Sequence, residues 1–223
     1  MEGSSFIVAI DGPSGVGKST VARRLAQRLG VPYLDTGAMY RALGLKVLRQ
    51  GADPRDAAQV EGLLASTDVS LEAAADGTVT VLLDGEPVAA SIRTPEVGQA
   101  ASTVATYPAV RQRMVALQRR CGEERGGVLE GRDIGTKVFP GTPHKFFLDA
   151  RPEVRVERRY RQLLERGEEV RREDVLEEVR RRDHRDRSRG DSPLSWDASY
   201  TRLDASDLAV DEVVAAMEEQ IRG

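Results

Sequence analysis

Two hydrophobic periods alternate along this chain. Phe6-Ile7-Val8-Ala9-Ile10 is an unbroken apolar run, the pattern of a strand buried on both faces. Helical spacing follows from Thr20 to Leu29 and stops at Gly30. Val31-Pro32-Tyr33-Leu34-Asp35 predicts a short second strand, and a helix opens at Ala38. Asp53 to Ser66 is amphipathic and predicts another helix. From Asp68 to Ser91 the period changes to two. Val69-Ser70-Leu71-Glu72 and Thr78-Val79-Thr80-Val81-Leu82-Leu83 alternate between turn signals at Asp76-Gly77 and Asp84-Gly85, which predicts a small antiparallel insert. Thr94-Pro95-Glu96 starts a helix with proline in its first position, and Pro108 to Glu124 predicts a further one carrying Arg111, Arg113, Arg119 and Arg120. Val128-Leu129-Glu130, Lys145-Phe146-Phe147-Leu148-Asp149 and Tyr200-Thr201-Arg202-Leu203-Asp204 complete five core strands, and Val210 to Ile221 predicts a closing amphipathic helix. Strands that alternate with helices predict an α/β fold around a parallel sheet.

Composition narrows this picture. A chain of 223 residues holds one α/β domain, or a core with one or two inserted lobes. A net charge of -3 gives no overall basic field, so nucleic acid is not an expected partner. The single cysteine, Cys121, excludes a disulfide framework and points to a reducing compartment. No apolar run is long enough to span a bilayer, and no leader pattern precedes the first strand; the expectation is a cytoplasmic protein away from membranes. Asparagine is absent, and Lys18, Lys46, Lys137 and Lys145 are the only lysines, which fits a heat-adapted host and a GC-rich genome equally well. Neither Cys/His clusters nor an H-E-x-x-H pattern occurs, which argues against zinc. His144 and His184 have no partner pattern and receive no role.

Chemistry concentrates in Gly12-Pro13-Ser14-Gly15-Val16-Gly17-Lys18-Ser19, which has the G-x-x-x-x-G-K-[ST] spacing of a P-loop. A plain Gly-rich turn is the alternative; the strand before it and the helix after it favour the P-loop. Backbone N–H groups in such a loop point at phosphate oxygens, and the helix N-terminus adds partial positive charge. Lys18 would reach the β/γ-phosphates and the Ser19 hydroxyl would take a place on Mg²⁺; Thr20 closes the nucleotide-binding stretch. Asp35, at a strand end, is placed to hold a Mg²⁺-bound water, with a simple helix cap as the alternative. Arg41, one turn into the next helix, is placed for a second phosphate or is a surface charge. Arg132 and Asp133 lie off the carboxyl end of a core strand, where ligands bind in open α/β sheets. The Arg-rich stretch from Arg151 to Arg189 alternates with Glu and predicts two solvated helices joined near Glu165-Arg166-Gly167-Glu168, a few of whose cations face the site. A switch GTPase is excluded, because its base-reading Asn-Lys-x-Asp needs asparagine. A kinase of a small acceptor fits the remaining parts.

Four blocks together resemble bacterial cytidylate kinases. They are Ile10 to Ser19, Asp35-Thr36-Gly37-Ala38-Met39-Tyr40-Arg41, Gly131-Arg132-Asp133-Ile134-Gly135-Thr136 and Arg182-Asp183-His184-Arg185-Asp186-Arg187-Ser188-Arg189. Ser91 to Val97 and Ala101-Ser102 fit the same pattern. The resemblance implies a P-loop, three-layer fold with a parallel five-stranded core (about 1–36, 126–152 and 190–223). It adds an inserted acceptor-binding lobe (about 37–125, its antiparallel insert at 68–91) and a helical lid (about 153–189). It implies ATP as phosphoryl donor, Mg²⁺ as cofactor, and CMP or dCMP as acceptor. Carried over by position, Arg41 and Arg132 would hold the acceptor phosphate, with Thr36 beside them among the substrate-binding residues. Ser102, Arg111 and Asp133 would read cytosine, and Arg182 and Asp186 would meet the sugar. Lys18, Arg132, Arg182 and Arg189 would carry catalysis, with Arg158 as the lid cation. Asp204-Ala205-Ser206-Asp207-Leu208 departs from the family's usual wording at the adenine pocket.

Elementary recognition chemistry agrees with that implication. Cytosine offers an amino donor beside two acceptors, so a carboxylate at Asp133 and a guanidinium at Arg111 match it. Uracil would face the carboxylate acceptor to acceptor, and such sites discriminate by up to about 10⁴-fold. Two alternatives differ: a P-loop kinase of UMP or AMP, and a nucleic-acid-binding ATPase that uses the Arg-rich helices. Aromatic residues at 4% offer the latter little stacking surface. A monomer is expected, since no long apolar stripe is left over.

Overall fold

A computed structural model describes residues 6–73 and 79–222. In chain order the elements are β1 (Ile7–Asp11), α1 (Lys18–Leu29), β2 (Tyr33–Asp35), α2 (Thr36–Arg49), α3 (Ala57–Leu64), β3 (Val69–Ala73), β4 (Val79–Leu83) and β5 (Glu86–Pro87). After a 3₁₀ turn (Ser91–Arg93) come α4 (Pro95–Val104), α5 (Pro108–Arg125) and β6 (Gly127–Gly131). A π-helical turn (Ile134–Val138) leads to β7 (His144–Asp149), α6 (Pro152–Leu164), α7 (Arg172–Ser188), β8 (Thr201–Asp204) and α8 (Val210–Arg222). The five-stranded sheet has the order β2-β6-β1-β7-β8, and a three-stranded sheet has the order β3-β4-β5. The α/β architecture expected from the sequence is present. The chain divides into two compact units, one built on Val31–Gly127 and the other on Ile7–Gly30 with Val128–Gly223.

In the second unit β1 is buried at all five positions, as its continuous apolar run requires. It pairs in parallel with β7 (Val8 opposite His144), and β7 pairs in parallel with β8 (Phe146 opposite Thr201). Helices α6 and α7 pack through Val156, Leu163, Val175 and Val179. Their outer charges pair at helical spacing, as in Arg161–Glu157, Arg171–Asp174 and Arg181–Glu177. Tyr200 meets the Phe147 ring edge-on at 6.4 Å.

In the first unit the antiparallel insert forms as expected, with Val69 opposite Leu83 in β3 and β4. Lys46 Nζ reaches Asp84 Oδ2 at 2.7 Å and Arg49 forks onto Glu86, tying α2 to the turn after β4. The Asp76-Gly77 turn signal lies outside the described residues. Helix α2 packs on α4 at Gly44, where a Cβ would approach the Ala101 nitrogen to 2.8 Å. Cys121 is buried on α5, and burial pushes its thiol pKa up.

Three boundaries differ from expectation. The helix expected over Asp53 to Ser66 is only α3. Asp53 instead accepts the Arg55 N–H at 2.9 Å in a turn, and Asp56 caps the helix by accepting from Ala58 and Gln59. At its end the Thr67 hydroxyl donates to the Leu63 carbonyl at 2.6 Å. Helix α2 starts at Thr36 rather than Ala38, because Asp35 caps it by accepting the Ala38 N–H at 3.0 Å. The π-helical turn was not expected at all.

Candidate active site

The P-loop forms between β1 and α1 in the second unit. Its glycines are required by backbone geometry: Gly15 has φ +76° and Gly17, the cap of α1, has φ +101°. At Gly15 a Cβ would also stand 2.7 Å from the Arg155 carbonyl oxygen. Three cations hold loop carbonyls from different directions. Lys18 Nζ donates to the Pro13 oxygen at 2.7 Å, Arg155 to Ser14 at 3.0 Å and Arg158 to Val16 at 3.1 Å. With carbonyls of the loop engaged this way, its N–H groups are the parts available to an anion. Ser19 and Thr20 are exposed in the first turn of α1. Burial, and then the nearby Arg132 charge, push the Lys18 ammonium well below the usual lysine range.

A second group of charges lies in the same unit. Arg132 follows β6 and donates from Nε to Asp186 Oδ2 on α7 at 2.7 Å. Burial alone would raise the Asp186 pKa, but Arg132, Arg182 and Arg189 outweigh it and hold the carboxyl below the ordinary range. Arg189 Nη2 lies 3.9 Å from Asp133 Oδ1, and its Nε donates to the Ser192 carbonyl at 2.6 Å. The structure thus brings together Arg132, Arg182, Asp186, Arg189 and Asp133. Arg158 braces instead of reaching outward, since its second bond goes to the Ala205 carbonyl at 2.7 Å.

Asp11, the last residue of β1, pins the loop that bears Arg132 and Asp133. Its carboxylate accepts from the Ile134 and Gly135 N–H groups at 2.9 Å each and from the Tyr200 hydroxyl at 2.8 Å. Burial raises its pKa to about 6, against the pull of those bonds. The π-helical turn then closes on the Asp133 carbonyl, which accepts from Lys137 and Val138.

In the first unit, Arg41 donates to the Ile92 carbonyl at 3.1 Å, and a Cβ at Gly98 would meet its guanidinium at 3.2 Å. Arg111 is 1% exposed, with its guanidinium 6.0 Å from the Tyr40 ring centre. An arginine that deeply buried is not part of a solvated helix face. The Ser102 hydroxyl oxygen is buried without a hydrogen-bond partner among the described residues, which suits a ligand donor. Thr36 is buried at the start of α2.

Comparison with known proteins decides what this constellation belongs to. The cytidylate kinase family model matches residues 8–223. The chain belongs to the cytidylate kinase family. A cytidylate kinase of Caldanaerobacter subterraneus subsp. tengcongensis is 46% identical over 215 residues, 96% of this chain and 94% of that protein. A cytidylate kinase of Mycobacterium leprae is 47% identical over 220 residues, 98% of this chain and 96% of that one. Among solved structures, shikimate kinase from Bacteroides thetaiotaomicron matches with TM-score 0.50 and 13% identity over 99% of this chain and 100% of that one, a likeness of fold alone. The family resemblance carried by the four sequence blocks is therefore correct.

Sequence reasoning singled out neither Asp11, Arg155, Asp183 nor Tyr200. Two signals were available. A carboxylate closing an otherwise apolar buried strand must be satisfied inside the protein. Arg155 and Arg158 share one face of a helix by their spacing, so they act in one direction rather than as scattered surface charge.

Proposed function

We propose that this chain transfers the γ-phosphoryl group of ATP to CMP or dCMP, yielding ADP and CDP or dCDP. The supporting observation is membership of the cytidylate kinase family over nearly the whole chain, on a P-loop whose lysine and glycines are in place. In this reading the stretch Gly12 to Thr20 binds the donor phosphates. Arg41 and Arg132 take the acceptor phosphate, Ser102, Arg111 and Asp133 read the base, and Arg182 and Asp186 meet the sugar. The Ser19 hydroxyl would take a place on Mg²⁺, an oxygen donor that suits that hard cation, and Asp35 would hold a Mg²⁺-bound water. Bound there, the cation would neutralise phosphate charge. Burial pushes the Lys18 pKa below the usual lysine range, and polyphosphate at the loop would favour its charged form. Phosphoryl transfer needs positioning and charge more than a general base, and Lys18, Arg132, Arg182 and Arg189 supply the charge. Arg158 would join them only after leaving the Val16 and Ala205 carbonyls. The protein would act as a monomer in the cytoplasm; no described helix is long and apolar enough to cross a membrane.

The test is ADP release from MgATP with CMP, dCMP, UMP, AMP and GMP beside an acceptor-free control. Turnover confined mainly to CMP and dCMP is expected, and Asp133→Ala should lose it while still binding ATP. Release that ignores the acceptor, or follows added oligonucleotide, would overturn the reading.

A further inference from the structure

Most charge pairs of α6 and α7 are exposed, and pairs of that kind contribute little. One pair differs. Arg155, one turn into α6, is 3% exposed and makes four hydrogen bonds. Its Nε donates to the Ala150 carbonyl at 3.1 Å. Its Nη1 donates both to the Ser14 carbonyl of the P-loop and to Asp183 Oδ1, each at 3.0 Å, and its Nη2 donates to Asp183 Oδ2 at 2.6 Å. The two helices do not need this pair to dock, since their apolar cluster does that. A buried ion pair is also weak evidence for stability, because desolvation offsets the attraction. Its geometry suggests another use. One planar guanidinium joins the donor loop to the residue between Arg182 and His184, one turn before Asp186, and Asp186 in turn holds Arg132.

We propose that the Arg155–Asp183 pair is a positioning element that couples occupancy of the P-loop to the acceptor-holding residues of α7. When phosphates draw in the loop N–H groups, Ser14 moves with them, and the rigid fork of Arg155 carries that displacement to Asp183. Arg182 and Asp186 then shift as one with their helix. Lysine cannot reproduce the fork, because it is a single point donor. The inference rests on the functional reading above, since it assumes that α7 holds the acceptor.

The experiment measures CMP affinity by calorimetry with and without a non-hydrolysable ATP analogue plus Mg²⁺. For the natural chain a coupling factor of about 5 or more is expected, the usual lower range for linked sites. In Asp183→Asn and in Arg155→Lys it should fall to near 1, while Asp174→Asn, which breaks an exposed pair on the same helix, should keep it. A merely structural role would lower the melting temperature of the first two variants and leave the factor alone, and that result would overturn the proposal. So would a factor near 1 in the natural chain. Hydrogen exchange on the unaltered protein covers variants that fail to fold: the ATP analogue alone should slow amide exchange over 180–188, and unchanged exchange there counts against the coupling. Turnover of CMP with coupling unaffected by the variants defeats this inference only; absence of CMP turnover in the natural chain defeats the functional reading.

Discussion

Asp186 and Asp11 are both buried carboxylates, yet their environments push them in opposite directions. Asp186 faces three guanidinium groups and is held below its ordinary pKa. Its contribution to stability is present above the unfolded value of 3.8 and is lost as pH falls through the lower folded value. Asp186→Asn would leave Arg132, Arg182 and Arg189 without their shared counter-charge, and urea denaturation at pH 7 should show a loss of about 3 kcal/mol. Asp11 behaves the other way. With its pKa raised from 3.8 to about 6, the folded state keeps a proton that the unfolded chain releases, so this group adds stability as pH falls from 6 toward 4. Tyr200→Phe removes a donor to the charged form and should move that window to higher pH. Urea midpoints between pH 4.5 and 7.5 that overlay the natural protein's would show that Tyr200 does not set it.

At the scale of elements, what the sequence made legible follows from range of interaction. The P-loop, α4 and the insert are written locally: glycines at positive φ, a Thr94 side chain that accepts the Val97 N–H before Pro95, and alternation around turn residues. The strand-end position pointed to Arg132 and Asp133 and the family wording to Asp186, and the structure places the three in one charge cluster. The π-helical turn was not legible, because its first N–H groups bond to Asp11, more than 120 residues away in sequence. The early start of α2 and the late start of α3 were missed for the opposite reason. Asp35, offered from the sequence as a helix cap, is one, and so is Asp56, but hydrophobic periodicity alone does not register a capping oxygen and so misplaced both helix starts. Gly44 gives a sharp test at this scale. Alanine there gains up to about 1 kcal/mol of helix propensity. Its Cβ would press on the Ala101 backbone at 2.8 Å, and overpacking of this kind costs about 1–3 kcal/mol. Thermal unfolding should therefore find Gly44→Ala destabilised; a raised melting temperature would mean that α2 and α4 separate without cost.

For the molecule as a whole, arginine charge sorts by exposure. The arginines of the stretch from α6 to the end of α7 include exposed pairs with neighbouring glutamates and aspartates and a less exposed set directed at the P-loop (Arg155, Arg158) and at Asp186 (Arg182, Arg189). No continuous basic strip is needed to explain them. Arg41, Ser102 and Arg111 lie in one compact unit, and Lys18, Arg132, Asp133, Arg182, Asp186 and Arg189 in the other, so the two sets can be varied separately.

The lone thiol offers a chemical clock. Cys121 is shielded inside α5, in the unit that carries Arg41, Ser102 and Arg111, and its pKa is raised, so both access and thiolate fraction are low. Labelling by a thiol reagent should therefore proceed only when that unit opens, at a rate that reports its breathing without any engineered probe. Acceptor nucleotide should slow the labelling in proportion to its occupancy. Modification as fast as that of a free thiol would mean that this unit is loosely closed in solution, and the same readout could then rank acceptors by how firmly each one shuts it.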